Sequence, residues 1–170
     1  MLNFHSLHRV PLFLRYASTD QPMNNETKQA ISQFFESIEK LKQLGVFRSD
    51  KYLGDLGEYI SQYFYNIELA KSGRQPGYDG IDSEGLVQVK YHGSTTRTNI
   101  DLGNPNEYQN LLIVLGPNSL LRNSSVEGDF LVYRMSAETV CQFKNKNKET
   151  YSCGKEPFAG EPSNVLNFKA

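Results

Sequence analysis

The sequence predicts a mixed α/β (α+β) fold, a central mixed sheet of about four to five strands flanked by helices. Three observations carry that prediction: two stretches of helical period before residue 66, a hairpin pattern over residues 78–92, and a wholly apolar run at 111–115. The apolar run ends at Gly116-Pro117, as an inner strand covered on both faces would. At 170 residues the chain has the size of one domain. Residues 23–143 are expected to form it, with a core over about 50–135 and a polar segment over 144–170.

The first helix starts at the capping pair Asn24-Asn25 and repeats Ile31, Phe34, Phe35, Ile38, Leu41 and Leu44 up to Gly45. Asp50 is placed to cap the second, whose stripe is Leu53, Leu56, Ile60, Tyr63 and Phe64. Glu58 lies off that stripe, so periodicity alone reads it as solvated. Gly54 and Gly57 each cost about 1 kcal/mol against alanine inside a helix, so they either permit close approach by another backbone or mark an imperfect helix. A strand at 67–71 and a Gly/Pro turn at 73–77 follow, then strands 78–82 and 86–92 around Ser83-Glu84-Gly85. Residues 93–109 read as a long polar loop near the site, 130–133 as a further strand, and Ser136 as the cap of a short helix through Phe143. No internal repeat is present.

Composition excludes several classes. Hydrophobic residues are 38% and charged residues 22%, with ten Tyr and ten Phe, too aromatic for a disordered chain. No apolar run approaches the roughly 20 residues of a membrane-spanning helix. A net charge of -1 rules out a whole-surface grip on nucleic acid but not a local basic patch. Residues 134–155 hold one, five basic against two acidic, although such runs usually just solvate a tail. Cys141 and Cys153 have no CxxC or CxxH neighbour and read as two reduced thiols. Residues 1–22 carry Arg9, Arg15 and no acid before Asp20. They read as an extension outside the fold, with Met23 a second candidate start; the location is then cytoplasmic. The alternative is a mitochondrial presequence over residues 1–17.

The chemistry concentrates in the hairpin. Along a strand alternate residues share a face, so Gln88 and Lys90 point one way and Val87, Val89 and Tyr91 the other. An even-numbered turn brings Asp79 to the polar face, whereas a three-residue turn brings Asp82. Sequence leaves that register open. Carboxylate and amide oxygens are the hard donors that magnesium prefers. A lysine beside the attacking water can orient or deprotonate it, which suits hydrolysis of a phosphodiester.

A helical glutamate (Leu56-Gly57-Glu58-Tyr59), an aspartate entering a strand (Gly77-Tyr78-Asp79-Gly80-Ile81-Asp82) and Gln88-Val89-Lys90 on the next together resemble the PD-(D/E)XK nucleases. The Asp-Gly-Ile-Asp string followed by Gln-Val-Lys is most similar to the Mrr-like branch, whose last motif is Gln-x-Lys. The resemblance spans about residues 50–135. It implies a restriction-endonuclease-like core and Mg²⁺- or Mn²⁺-dependent endonuclease activity on DNA. Glu58, Asp79, Gln88 and Lys90 would be catalytic; Glu58, Asp79 and Gln88 would hold the metal, with Asp82 the alternative ligand. No proline precedes Asp79, and Gln88 replaces the commoner acid, which removes a charge from the metal site. A nuclease-like domain that only binds nucleic acid or a protein partner is the competing expectation. His92 and Arg97 are candidates for phosphate contact, and double-strand cleavage would imply a homodimer.

Overall fold

The computed structural model describes residues 25–72 and 75–168, and the chain divides into two units, 1–37 and 38–170. Residues 1–22, Asn24 and part of the expected 73–77 turn lie outside the described residues. Helix α1 is Asn25–Gln43, and the division falls within it, after Ser37. In the first unit, Phe34 and Phe35 meet edge to face with ring centroids 5.4 Å apart. In the second, Ile38 and Val46 are buried.

Helix α2 covers Tyr52–Tyr65 and ends on Asn66, whose left-handed φ of 50° turns the chain out of the helix. Asp50 does not cap it. The start is held instead by Asp55, whose carboxylate accepts from the N–H groups of Arg48 at 2.7 Å and Ser49 at 2.6 Å. The buried face of α2 differs from the expected stripe, since Leu53 and Tyr63 are 57% and 70% exposed. Gly57, Ile60 and Ser61 face inward, with Leu56 and Phe64 half-buried beside them. Small residues decide this. A methyl added at Gly57 would sit 3.3 Å from Tyr91 Cβ and 3.7 Å from Val89 Cγ1, so the helix rests almost directly on the sheet.

The strands are β1 (Glu68–Leu69), β2 (Gly80–Asp82), β3 (Gly85–His92), β4 (Ile100–Asp101), β5 (Asn110–Leu115), β6 (Phe130–Ser136), β7 (Ser152–Cys153) and β8 (Asn164–Leu166). Helix α3, Ala137–Cys141, follows β6, and the Ser136 hydroxyl accepts from the Thr139 N–H as its cap. Six strands form one mixed sheet in the order β1-β2-β3-β5-β6-β8; β4 and β7 pair separately. β3 and β5 run parallel, and every other neighbour in the large sheet is antiparallel.

One sheet face places Val87, Val89, Leu112, Val114, Phe130 and Val132 against Ile60 and Ile67. The other places Leu111, Ile113, Leu115, Leu131, Tyr133 and Met135 under irregular chain rather than a second long helix. The cover includes Ile100, Leu102, Tyr108, Leu121, Val140, Tyr151, Cys153 and Phe158. Two expectations are corrected here. The sheet has six strands, and residues 144–168 are part of the core rather than a polar appendage. That segment gives isolated anchors, Tyr151, Cys153 and Phe158, with no period, and its β8 closes the sheet against β6.

Candidate active site

The hairpin turn decides which aspartate shares a face with Gln88 and Lys90. Asp82 pairs with Gly85 across a two-residue turn, Ser83 and Glu84; Ile81 pairs with Leu86 and Gly80 with Val87. Continued by one residue, that register sets Asp79 opposite Gln88, and the Asp79 N–H donates to the Val87 carbonyl at 2.8 Å. Lys90 stands two residues further along the same face. Asp82 points to the other face, where it ion-pairs with Arg134 at 2.8 Å. Arg134 also meets Glu84 at 3.1 Å and lies over the Tyr65 ring, 5.2 Å from its centroid.

β2 is short, so the far half of β3 has an open edge, and the Asp79 side chain takes up the ladder there. Its Oδ2 accepts from the Val89 N–H at 2.7 Å and from the Gln88 side-chain amide. The nitrogen of that amide, not its oxygen, is therefore turned to Asp79. Burial raises the Asp79 carboxyl above its ordinary 3.8, while the Val89 N–H, the Lys90 charge, the Gln88 amide and the Arg48 charge oppose the rise. The expected 93–109 loop is interrupted by β4 and carries the core residues Leu102 and Tyr108, and its Gly103 approaches Gln88 and Lys90. A methyl at Gly103, which has φ +76°, would be 3.7 Å from Lys90 Cε and 3.9 Å from Gln88 Oε1.

Glu58 enters from α2 with its side chain only 14% exposed, paired with the Arg48 guanidinium. Burial pushes its carboxyl above the usual 4.5; the Arg48 hydrogen bond and charge oppose this, and the charges of Asp79 and Asp55 add to it. Arg48 is the residue that sequence reading missed. Its backbone is pinned by Asp55, and its Nη1 donates to the Ala70 carbonyl at 3.0 Å, so it ties the exit of β1 to Glu58. The only signals for it are an acid in the first turn of α2 and a base seven residues before it.

The donor set fits an oxygen-preferring divalent ion. Glu58 and Asp79 are two partly buried carboxylates, Asp79 Oδ1 accepts no hydrogen bond among the described residues, and magnesium keeps several waters when one or two carboxylates hold it. Among the described residues no three His, Cys, Asp or Glu side chains converge as a metal-binding group. Gln88, as oriented, supports Asp79 rather than adding a third ligand.

At the open edge of β3 a cleft of about 470 Å³ is lined by Leu53, Gly54, Lys90, Tyr91, Ser94 and Arg97, among others. Arg97 is exposed there. His92 corrects the expectation of a phosphate contact, because it is 4% exposed and both ring nitrogens are used inside the protein. Nε2 is 3.1 Å from the Arg97 carbonyl and must donate to it, so Nδ1 accepts from the Ser119 hydroxyl at 2.7 Å. Burial holds the imidazole below its ordinary 6.5. In the basic stretch 134–155, Arg134 is consumed by Asp82 and Lys144 pairs with Glu149 at 2.7 Å.

Among the described residues no helix is long and apolar enough to cross a membrane. The chain matches no family model, and no curated protein matches it in sequence.

Proposed function

We propose that the chain is a metal-dependent nuclease of the PD-(D/E)XK type, built on a restriction-endonuclease-like core and hydrolysing phosphodiester bonds in DNA. The observation that carries the reading is the hairpin register: Asp79 opposite Gln88, with Lys90 next on that face. Glu58 and Asp79 hold Mg²⁺ or Mn²⁺. The bound ion supplies positive charge at the phosphate oxygens, where negative charge develops. The Gln88 amide and the Val89 N–H fix the orientation of the Asp79 carboxylate. Lys90, lining the cleft, orients the attacking water and stabilises charge on the phosphate. Incubating the protein with plasmid, linear and single-stranded DNA in Mg²⁺, Mn²⁺ or EDTA tests this: cleavage is expected with either ion and absent in EDTA. Undiminished cleavage in excess EDTA overturns it.

A second reading, a domain that binds nucleic acid without cutting it, is favoured by one specific observation. The Gln88 nitrogen donates to Asp79 and Arg48 pairs with Glu58, so both carboxylates already have partners without a metal. Calorimetry separates the two, because the binding-only domain takes up no divalent ion.

A further inference from the structure

A second cavity, of about 320 Å³, lies where the segment before α2 and its first turn meet the exit of β1. Arg48, Lys51 and Lys71 line it with Ser49, Ser72, Asp50 and Asp55. Its charges are unevenly spent. Asp55 is buried and satisfied by the N–H groups of Arg48 and Ser49 and by the Ser49 hydroxyl at 3.1 Å. Lys51 and Lys71 are exposed, and neither ammonium forms an ion pair among the described residues. Asp50 is the one acid left on the lining without such a role. Arg48 belongs to both places. Its guanidinium reaches Glu58 in the candidate site and the Ala70 carbonyl next to Lys71, so the cavity adjoins the site through a single side chain.

We infer that this cavity is a phosphate subsite, which takes a backbone phosphate of the nucleic-acid strand near the one being cut. The inference rests on the nuclease reading for its ligand and extends it by assigning Lys51 and Lys71 to strand positioning. Two ammonium groups on a flexible stem suit a phosphate as point charges. Arg48 links the occupied subsite to Glu58, so a strand seated there is held in register with the carboxylates. The contact is to backbone, so it carries affinity and no sequence preference.

The test is oligonucleotide binding by fluorescence anisotropy in EDTA over a series of salt concentrations. Wild type is compared with Lys51→Ala/Lys71→Ala and with Lys146→Ala/Lys148→Ala, which removes equal charge elsewhere. The first double variant should bind more weakly, and its plot of log affinity against log salt should be shallower by about 1.8 on duplex or about 1.4 on single strands. The second should match wild type. Equal slopes and affinities for wild type and Lys51→Ala/Lys71→Ala overturn the subsite, as does a wild type that binds no oligonucleotide. Inorganic phosphate provides another arm. If it binds by calorimetry in a Lys51/Lys71-dependent way while oligonucleotide affinity is untouched, the ligand is free phosphate and the strand assignment is overturned. Failure of the two readings is distinguishable. A protein that binds strands through Lys51 and Lys71 yet never cuts them keeps the subsite and loses the nuclease; one that cuts with both lysines silent does the reverse. Circular dichroism of each variant checks that it is folded.

Discussion

Asp79 and Asp82 stand three residues apart along β2 and its approach, yet they inhabit different chemistry. Asp82 is sealed on one face with Arg134, its side chain 5% exposed and its charge matched by a cation that Tyr65 also covers. Asp79, on the other face, is held by an amide and a backbone N–H, and the two cations acting on it, Lys90 and Arg48, do so at longer range. A spacing of three in a period of two is enough to produce this difference. The first cluster is finished as a structural ion pair, whereas the second is anchored but leaves one carboxylate oxygen unused by the described residues.

The largest effect expected on the Asp79 side is from Lys90→Ala. Single-turnover cleavage should fall by about 10²- to 10⁴-fold with DNA affinity and fold retained. Cleavage at the wild-type rate would reduce Lys90 to an edge lysine. Next come the two aspartates themselves. Asp82→Asn leaves Arg134 without its buried partner and should cost about 3 kcal/mol in urea titrations, with divalent-ion affinity unchanged. Asp79→Asn keeps an acceptor for the Val89 N–H, so it should lose ion binding by calorimetry with little change in stability. Equal behaviour of the two variants would break the distinction.

Gln88→Glu sharpens it from within. The exchange sets a carboxylate against Asp79 and removes a hydrogen bond to a charged group, so stability in EDTA should fall by about 2 kcal/mol. Mg²⁺ should restore that stability and bind more tightly than to wild type; thermal melts with and without the ion that shift identically for both proteins would refute this. The smallest effect belongs to His92, further along the same strand face. Its folded pKa is depressed by burial, so its contribution to stability is complete above the ordinary 6.5 and is lost as pH falls through the folded value. Wild type should therefore lose more stability between pH 7.5 and 5.5 than His92→Gln does, as urea titrations at both pH values would show. Equal losses would mean that the imidazole does not titrate as described.

Much of the candidate site's geometry was legible because its spacing is local. Asp79, Gln88 and Lys90 follow from strand alternation, and only the turn length had to come from the structure. The strands 86–92 and 111–115 and both long helices were readable from period and punctuation. The buried face of α2 was not, because Gly57 and Ser61 pack by being small, and a hydrophobic stripe cannot register small residues. The contribution of 144–168 was hidden for a different reason. Tyr151, Cys153 and Phe158 anchor the cover singly, without repeating. Arg48 joins the site through tertiary contacts to Glu58 and Ala70, and no sequence spacing encodes that.

The two-residue turn at Ser83-Glu84 also has a consequence for the order of assembly. A hairpin this local forms in about 1–10 μs, whereas joining β3 to β5 must first bring together Leu86 and Gln109, which are 23 residues apart. The pairing of Asp79 with Gln88 is thus expected to form ahead of the inner sheet. Gly80 lets β1 dock on that hairpin: a side chain there would collide with Ile67 Cγ2 and the Glu68 carbonyl. Stopped-flow kinetics read this directly. Val87→Ala should slow folding and Leu166→Ala should mainly speed unfolding, and the opposite pattern would put the C-terminal strand, not the hairpin, in the folding nucleus.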